Sequence, residues 1–112
     1  MKAIAHDTGA EIVASTLNQG CVEGLPDDAA VEIACRIDAR GLMPLPVGPI
    51  PLAYRGLVQA VKAYETLTVE AAVTGSKNAA LQALLAHPLV GDLDVARPLL
   101  DELIAAHKLD LK

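Results

Sequence analysis

Residues 31–38 read Val-Glu-Ile-Ala-Cys-Arg-Ile-Asp, and this stretch decides the fold class of the first half of the chain. Apolar residues stand at every second position from Val31 to Ile37, and the residues between them are mostly polar. Successive side chains of a strand point to opposite faces of a sheet. The alternation therefore predicts a strand near residues 30–38 whose apolar face, which includes Ile33, is buried.

Two further strands are predicted on either side of this one. Residues 11–17 are rich in β-branched side chains and lie between Gly9 and the turn sequence Asn18-Gln19-Gly20. Residues 42–47 follow a tight turn at residues 39–41 and are interrupted by prolines, which is typical of an edge strand. The first half should therefore form a β-ribbon of short antiparallel strands.

The second half of the chain has a helical period. Five of the seven prolines lie between residues 26 and 51, and none lies between residues 52 and 87. Apolar residues then recur about every 3.6 positions, which predicts three helices. The first ends at Gly75, the second runs from Lys77 to Ala86 after a Ser76 cap, and the third begins at Asp92 or Asp94 and ends near Lys108. Pro98 should make the first turn of the third helix irregular without breaking it.

The predicted fold class is α+β, with the strands of the first half packed on the three helices of the second. With 112 residues, 53% of them apolar, the chain fits a single domain that spans residues 1–112. Residues 2–6 are expected to be the last turn of a preceding helix that stops at Gly9.

Composition excludes several classes of partner. The net charge of −5 and the presence of only two aromatic residues argue against binding of nucleic acid. The chain shows neither the apolar core of a signal peptide nor an uncharged apolar run long enough to span a membrane. Cys21 and Cys35 lack metal-binding spacing and are too few for a disulfide scaffold, so the expected location is cytoplasmic.

No local motif for catalysis, cofactor binding or metal binding stands out. The eight glycines spell neither G-x-G-x-x-G nor G-x-x-x-x-G-K, and the three histidines are far apart in sequence. Asp27 and Asp28, near Glu23, could be paired carboxylates, but a solvated turn after Pro26 is the stronger interpretation. The residues alone therefore assign no catalytic, cofactor or metal-binding side chain.

Three stretches, taken together, carry a family resemblance. They are Asn18-Gln19-Gly20 followed by residues 25–33 (LPDDAAVEI), residues 44–51 (PLPVGPIP) and residues 67–72 (LTVEAA). In order and spacing they resemble the C-terminal region of glycoside hydrolase family 4, and most closely its 6-phospho-β-glucosidases. The similarity continues through residues 79–90 (AALQALLAHPLV) to residues 99–111 (LLDELIAAHKLDL), so it covers the chain from about Thr8 onward.

The resemblance implies a glycosidase that uses NAD and a divalent metal such as Mn²⁺, outside the usual scheme of two carboxylates. In that family the nicotinamide oxidises the sugar at C3, and a base then removes the acidified C2 proton. The dinucleotide loop, the metal-binding Cys and His and the tyrosine base of the family lie upstream of the matched region. Cys35, Tyr54 and Tyr64 do not match them, so none of these roles is carried over to this chain.

Asn18 and Gly20 are the candidate residues for the substrate side. A loop after a strand can reach a cleft, and a glycine lets the backbone approach a ligand closely. The alternative is an ordinary turn built on Asn and Gly. The resemblance thus implies that the chain is the C-terminal, substrate-domain part of a 6-phospho-β-glucosidase and is inactive alone. It also implies two partners, namely a missing N-terminal dinucleotide-binding portion and further copies of the enzyme in a homo-oligomer. The alternative is a stand-alone structural or oligomerisation module.

Overall fold

The computed structural model describes residues 9–112, which divide into two compact units, the first ending at Pro51 and the second beginning at Leu52. The first unit holds five strands, namely β1 (Ala10–Leu17), β2 (Val22–Glu23), β3 (Ala30–Asp38), β4 (Gly41–Pro44) and β5 (Gly48–Pro49). The second holds three helices, namely α1 (Leu52–Thr74), α2 (Lys77–Ala86) and α3 (Leu93–His107). The α+β class is confirmed. The predicted helical turn at residues 2–6 lies outside the described residues.

Strand β3 is the centre of an antiparallel sheet with the order β1-β3-β4. The predicted alternation is confirmed, because Ile33 and Cys35 are buried whereas Glu32, Ala34 and Arg36 are exposed. The register pairs each residue of β1 with one of β3, from Ala10 with Ile37 to Leu17 with Ala30. The alternation of apolar and polar residues in β3 therefore predicted both the strand and the face that is buried.

The third predicted strand is shorter than expected. It was predicted over residues 42–47, but β4 ends at Pro44, and the last bond to β3 runs from the Leu45 N–H to the Ala34 carbonyl at 2.9 Å. Pro46 has no N–H with which to extend the ladder. Beyond it, β5 pairs in parallel with β2, so that Val22 lies opposite Gly48. This small second sheet was not predicted.

The helix boundaries agree with the predicted caps. The Ser76 hydroxyl accepts a bond from the Ala79 N–H at 3.1 Å, and α2 spans the predicted residues. Asp92 caps α3, since its carboxylate accepts a bond from the Asp94 N–H at 2.7 Å. Helix α3 is continuous through Pro98, as predicted, but Pro98 is the sixth residue of the helix and lies in its second turn rather than its first.

Small side chains let the three helices approach closely. The buried residues of this unit are Ala71, Ala79, Ala83, Ala96 and Leu100. The end of the chain returns to the start of α2, where the Lys77 N–H donates to the Lys112 carbonyl at 2.8 Å. None of the helices in residues 9–112 is long and apolar enough to cross a bilayer. The single domain over residues 1–112, and the packing of the strands on the helices, stay predictions.

Candidate functional site

Asn18 directly follows the last residue of β1 and organises the loop there. Its side chain is fully buried, and its Oδ1 accepts a bond from the Val22 N–H at 2.7 Å. Its Nδ2 donates to three carbonyl oxygens, those of Val22 at 3.1 Å, Leu25 at 3.0 Å and Pro26 at 3.1 Å. The amide thus occupies the inside of the loop, where it replaces the backbone partners that a regular strand would supply.

The residues after Asn18 form an exposed turn. Gln19 has φ 44° and Gly20 has φ 80°, both in the left-handed region. A Cβ atom on Gly20 would meet nothing within 4 Å, so the backbone angle rather than lack of space favours glycine there. The Cys21 N–H closes the turn on the Asn18 carbonyl at 2.8 Å. The turn therefore presents the Gln19 side chain and the Gly20 backbone to solvent.

Backbone bonds hold this loop against two other segments. The Asn18 N–H donates to the Ala29 carbonyl at 2.8 Å, and the Gln19 N–H donates to the Asp27 carbonyl at 2.9 Å. The Cys21 carbonyl accepts from the N–H groups of Val47 at 2.8 Å and Gly48 at 3.0 Å. Two of the stretches that carried the family resemblance, residues 18–33 and 44–51, thus meet here although they are far apart in sequence.

The structure assigns different parts to the two predicted site residues. Asn18 and Gly20 lie in the same turn, but the Asn18 amide faces inward with its hydrogen bonds satisfied. Asn18 can therefore shape the loop from inside, while Gln19 and Gly20 are the residues that the turn exposes to solvent. The role of this loop at a substrate cleft stays a prediction. Sequence reasoning missed the inward amide, because nothing in an Asn-Gln-Gly sequence distinguishes a buried Asn from an exposed one.

Other candidate groups are separate from this loop. Asp27 and Asp28 are exposed in a turn, as predicted. The Cys35 thiol is buried and donates to the Ile33 carbonyl at 3.4 Å. His87, at the end of α2, accepts a bond from the Leu89 N–H at 3.2 Å through Nδ1. Within residues 9–112, no three His, Cys, Asp or Glu side chains are grouped as a metal site requires.

Two open grooves lie in the helical unit. One, of about 450 Å³, is lined mainly by charged and polar residues of α2, α3 and the chain end, among them Lys77, Arg97, Asp101 and Lys112. In this groove Lys77 Nζ donates a hydrogen bond to Asp101 Oδ1 at 2.7 Å. The other, of about 460 Å³, is lined mostly by Ala and Leu side chains of the three helices and the residues after α3. Neither groove is lined by the predicted Asn18-Gly20 loop.

Asp38 is the best-defined ion-pair site of the strand unit. Arg40 Nη2 donates to Asp38 Oδ2 at 2.6 Å, and the Arg40 backbone N–H donates to Oδ1 at 2.8 Å. These bonds stabilise the carboxylate and lower the pKa of Asp38 below its ordinary value of 3.8. The interactions explain why Asp38 is buried, although the strand pattern places it on the exposed face.

The lowered pKa of Asp38 predicts a pH-dependent contribution to stability. The folded chain binds this proton less readily than the unfolded chain, so the contribution is present above about pH 4 and is lost as the pH falls through the folded-state pKa. We expect Asp38→Asn to lower the melting temperature at neutral pH and to flatten its acid dependence. Thermal melts at neutral and acid pH measure this. Glu32→Gln, on an exposed carboxyl of the same strand, is the control. An unchanged acid dependence in Asp38→Asn would contradict the assignment.

Comparison with known proteins identifies the family. The family model of the family 4 glycosyl hydrolase C-terminal domain matches residues 1–90. The chain therefore belongs to the family 4 glycosyl hydrolases and corresponds to their C-terminal domain. The resemblance found in the sequence is thereby confirmed.

Three similar proteins show how far the likeness extends. The chain is 45% identical over 94 residues to a probable 6-phospho-beta-glucosidase of Bacillus subtilis, which covers 84% of this chain and 21% of that protein. It is 39% identical, with a TM-score of 0.82, to a 6-phospho-beta glucosidase of Thermotoga maritima solved with manganese, NAD+ and glucose-6-phosphate, over 95% of this chain and 27% of that one. A 6-phospho-alpha-glucosidase from gut microorganisms, solved with NAD and Mn²⁺, is 32% identical with a TM-score of 0.91, over 99% of this chain and 26% of that one. The chain thus spans about a fifth to a quarter of the length of these proteins.

Proposed function

We propose that the chain works as the C-terminal part of a glycosidase that hydrolyses 6-phosphoglycosides and uses NAD and a divalent metal. The observation that carries the proposal is the match over 95% of the chain, at 39% identity, to an enzyme solved with manganese, NAD+ and glucose-6-phosphate. The TM-score of that match is 0.82, and it covers 27% of that enzyme. The activity is assigned to the assembled enzyme, and we propose that residues 1–112 are inactive alone.

The proposed substrate is a 6-phospho-β-glucoside. The support is the 45% identity to a probable 6-phospho-beta-glucosidase, slightly above the 42% identity to a phospho-alpha-glucosidase of Clostridium acetobutylicum. On this proposal the turn at Gln19 and Gly20 lies at the substrate cleft, and Asn18 holds it in shape from inside. The Gly20 backbone can approach a ligand closely because it carries no side chain.

NAD and the metal belong to the remainder of the enzyme in this proposal. Bound NAD would accept hydride from the sugar, and Mn²⁺ would polarise the oxygens beside the reacting carbons. The described residues do not fit either group, since they lack both a cluster of metal ligands and a glycine-rich phosphate loop. No residue of this chain is therefore assigned to the hydride or proton transfers. The free thiols of Cys21 and Cys35 agree with the proposed cytoplasmic location.

A stand-alone structural or oligomerisation module is the second candidate. The observation that favours it is the amount of large apolar surface exposed in both units, for example Val13 at 68% and Val73 at 81%. Such surface is typical of contact with another protein. A module of this kind would keep the family fold and need no reaction chemistry of its own.

A chimeric enzyme separates the two candidates. This chain replaces the matched C-terminal part of the Thermotoga maritima 6-phospho-beta glucosidase, and hydrolysis of a chromogenic 6-phospho-β-glucoside is measured with NAD and Mn²⁺. We expect hydrolysis, because the chain supplies the same strands, loop and helices. A soluble chimera that binds NAD but does not hydrolyse the substrate would instead favour the stand-alone module. The chain by itself is the control, and calorimetric titration of it with NAD and with Mn²⁺ should show no saturable binding.

A further inference from the structure

The exposed turn at Gln19 and Gly20 has free hydrogen-bonding groups. Positive φ at both residues, with the Cys21 N–H bonded to the Asn18 carbonyl, is the arrangement of a type I′ turn. Neither the Gly20 N–H nor the Gln19 carboxamide has a hydrogen-bond partner among residues 9–112. The turn therefore offers a ligand one backbone donor and one side chain that both donates and accepts, and neither group carries a charge.

The charged residues of the strand unit that lie near this turn are acidic. Asp27 lies directly beside it, since its carbonyl accepts the bond from the Gln19 N–H at 2.9 Å, and Asp28 is the next residue. Glu23 belongs to β2, which follows the turn. All three carboxylates are exposed, and none forms an ion pair within the described part of the chain. An anion that approached the turn would therefore meet three negative charges that no cation of this unit offsets.

The cations of the strand unit lie at the opposite end of its sheet. Between residues 9 and 51 they are Arg36 and Arg40. Strand β3 begins beside the turn at Ala30, and Arg36 is six residues further along, which is about 20 Å at about 3.3 Å per residue. The Arg36 side chain bonds to the Gly9 carbonyl there, and Arg40 follows β3 and pairs with Asp38. The strand unit therefore supplies no charged donor that could hold a phosphate at the turn.

We propose that the turn at Gln19 and Gly20 binds the uncharged leaving group of the 6-phosphoglycoside and not its 6-phosphate, and that Gln19 selects the leaving group. The inference rests on the proposed function, in which the reacting carbons of the sugar face NAD and the metal in the remainder of the enzyme. The three carboxylates disfavour the phosphate at the turn. The part of the substrate left for the turn is the group on C1. A leaving group rich in hydroxyls, such as a second sugar, matches the uncharged donors and acceptor there.

The chimeric enzyme described above tests this inference with two 6-phospho-β-glucosides, one with a glucosyl and one with a phenyl leaving group. Gln19→Ala should lower the ratio of kcat/KM for the glucosyl over the phenyl substrate by about tenfold, because it removes hydrogen bonds to the leaving group. The inhibition constant of glucose 6-phosphate should stay the same, because this product has no leaving group. Gln82→Ala, on an exposed glutamine of α2, is the matched control and should leave the ratio unchanged. Circular dichroism checks that each variant is folded.

A charged leaving group tests the electrostatic part of the inference. The double variant Asp27→Asn, Asp28→Asn should raise kcat/KM for a 6-phospho-β-glucoside with a 4-carboxyphenyl leaving group by about two- to threefold, because two nearby negative charges are removed. Glu102→Gln, on an exposed carboxyl of α3, is the control and should not raise it. No rise in the double variant would overturn the selection against negative charge at the turn.

The remaining outcomes separate this inference from the proposed function. Weaker inhibition by glucose 6-phosphate in Gln19→Ala would place the phosphate or the sugar ring at the turn and overturn the inference. An unchanged ratio of the two substrates in Gln19→Ala would also overturn it, since the turn would then lie outside the cleft, while hydrolysis by the chimera would still support the proposed function. A soluble wild-type chimera that binds NAD but hydrolyses neither substrate would overturn the proposed function, and this inference with it.

Discussion

Ile33→Ala is expected to lower the free energy of unfolding by about 2–5 kcal/mol. Ile33 lies in the middle of β3 and is 8% exposed, on the same face as the buried Cys35. The substitution removes buried methyl and methylene groups and leaves a cavity in a region where strands on both sides fix the backbone. Denaturant unfolding followed by circular dichroism measures the loss.

The matched control for Ile33→Ala is Arg36→Ala on the opposite face of the same strand. Arg36 is exposed, and its Nε makes one long bond to the Gly9 carbonyl at 3.5 Å. Its loss should cost under about 1 kcal/mol, as is usual for surface positions. Equal losses in the two variants would contradict the register of β3, because that register is what separates a buried side chain from an exposed one.

Local patterns predicted the elements whose periodicity is strong. The alternation around Ile33 gave both the limits of β3 and its buried face, because a period of two fixes both at once. Gly75 and Ser76 likewise predicted the boundary between the first two helices. A glycine with positive φ is typical of the end of a helix, and a serine hydroxyl that accepts a backbone hydrogen bond is typical of the start of one. These features depend on neighbours in sequence, which a single sequence displays.

Features that depend on contacts between distant residues were not predicted. The parallel pairing of Val22 with Gly48 joins segments about 25 residues apart, and two-residue strands have no periodicity to detect. Asp38 was expected on the exposed face, but the guanidinium of Arg40 lets its carboxylate be buried. For the candidate site, the sequence located the turn at Asn18 and Gly20, whereas the inward direction of the Asn18 amide came only from the structure.

Asn18→Ala should be the most disruptive change in the loop that carries the candidate site. It removes the acceptor of the Val22 N–H and the donor for three carbonyl oxygens, all in the interior of the loop. An unsatisfied buried polar group costs about 1–3 kcal/mol, so we expect the free energy of unfolding to fall by an amount in the upper part of that range or above it. Hydrogen exchange gives a local measurement, because the amides of Val22 and Cys21 should lose protection while those of α2 keep it.

Two further variants separate the hydrogen bonds of Asn18 from its mere volume. Asn18→Asp keeps the shape and the acceptor, but its carboxylate has no N–H to give and would face the carbonyl oxygens of Val22, Leu25 and Pro26. At neutral pH it should therefore destabilise the loop, and acid should partly reverse the loss, because protonation returns one donor. Gln19→Ala is the exposed control and should cost under about 0.5 kcal/mol. If Asn18→Asp were as stable as the wild-type chain at neutral pH, the inward amide donor would not be what holds the loop together.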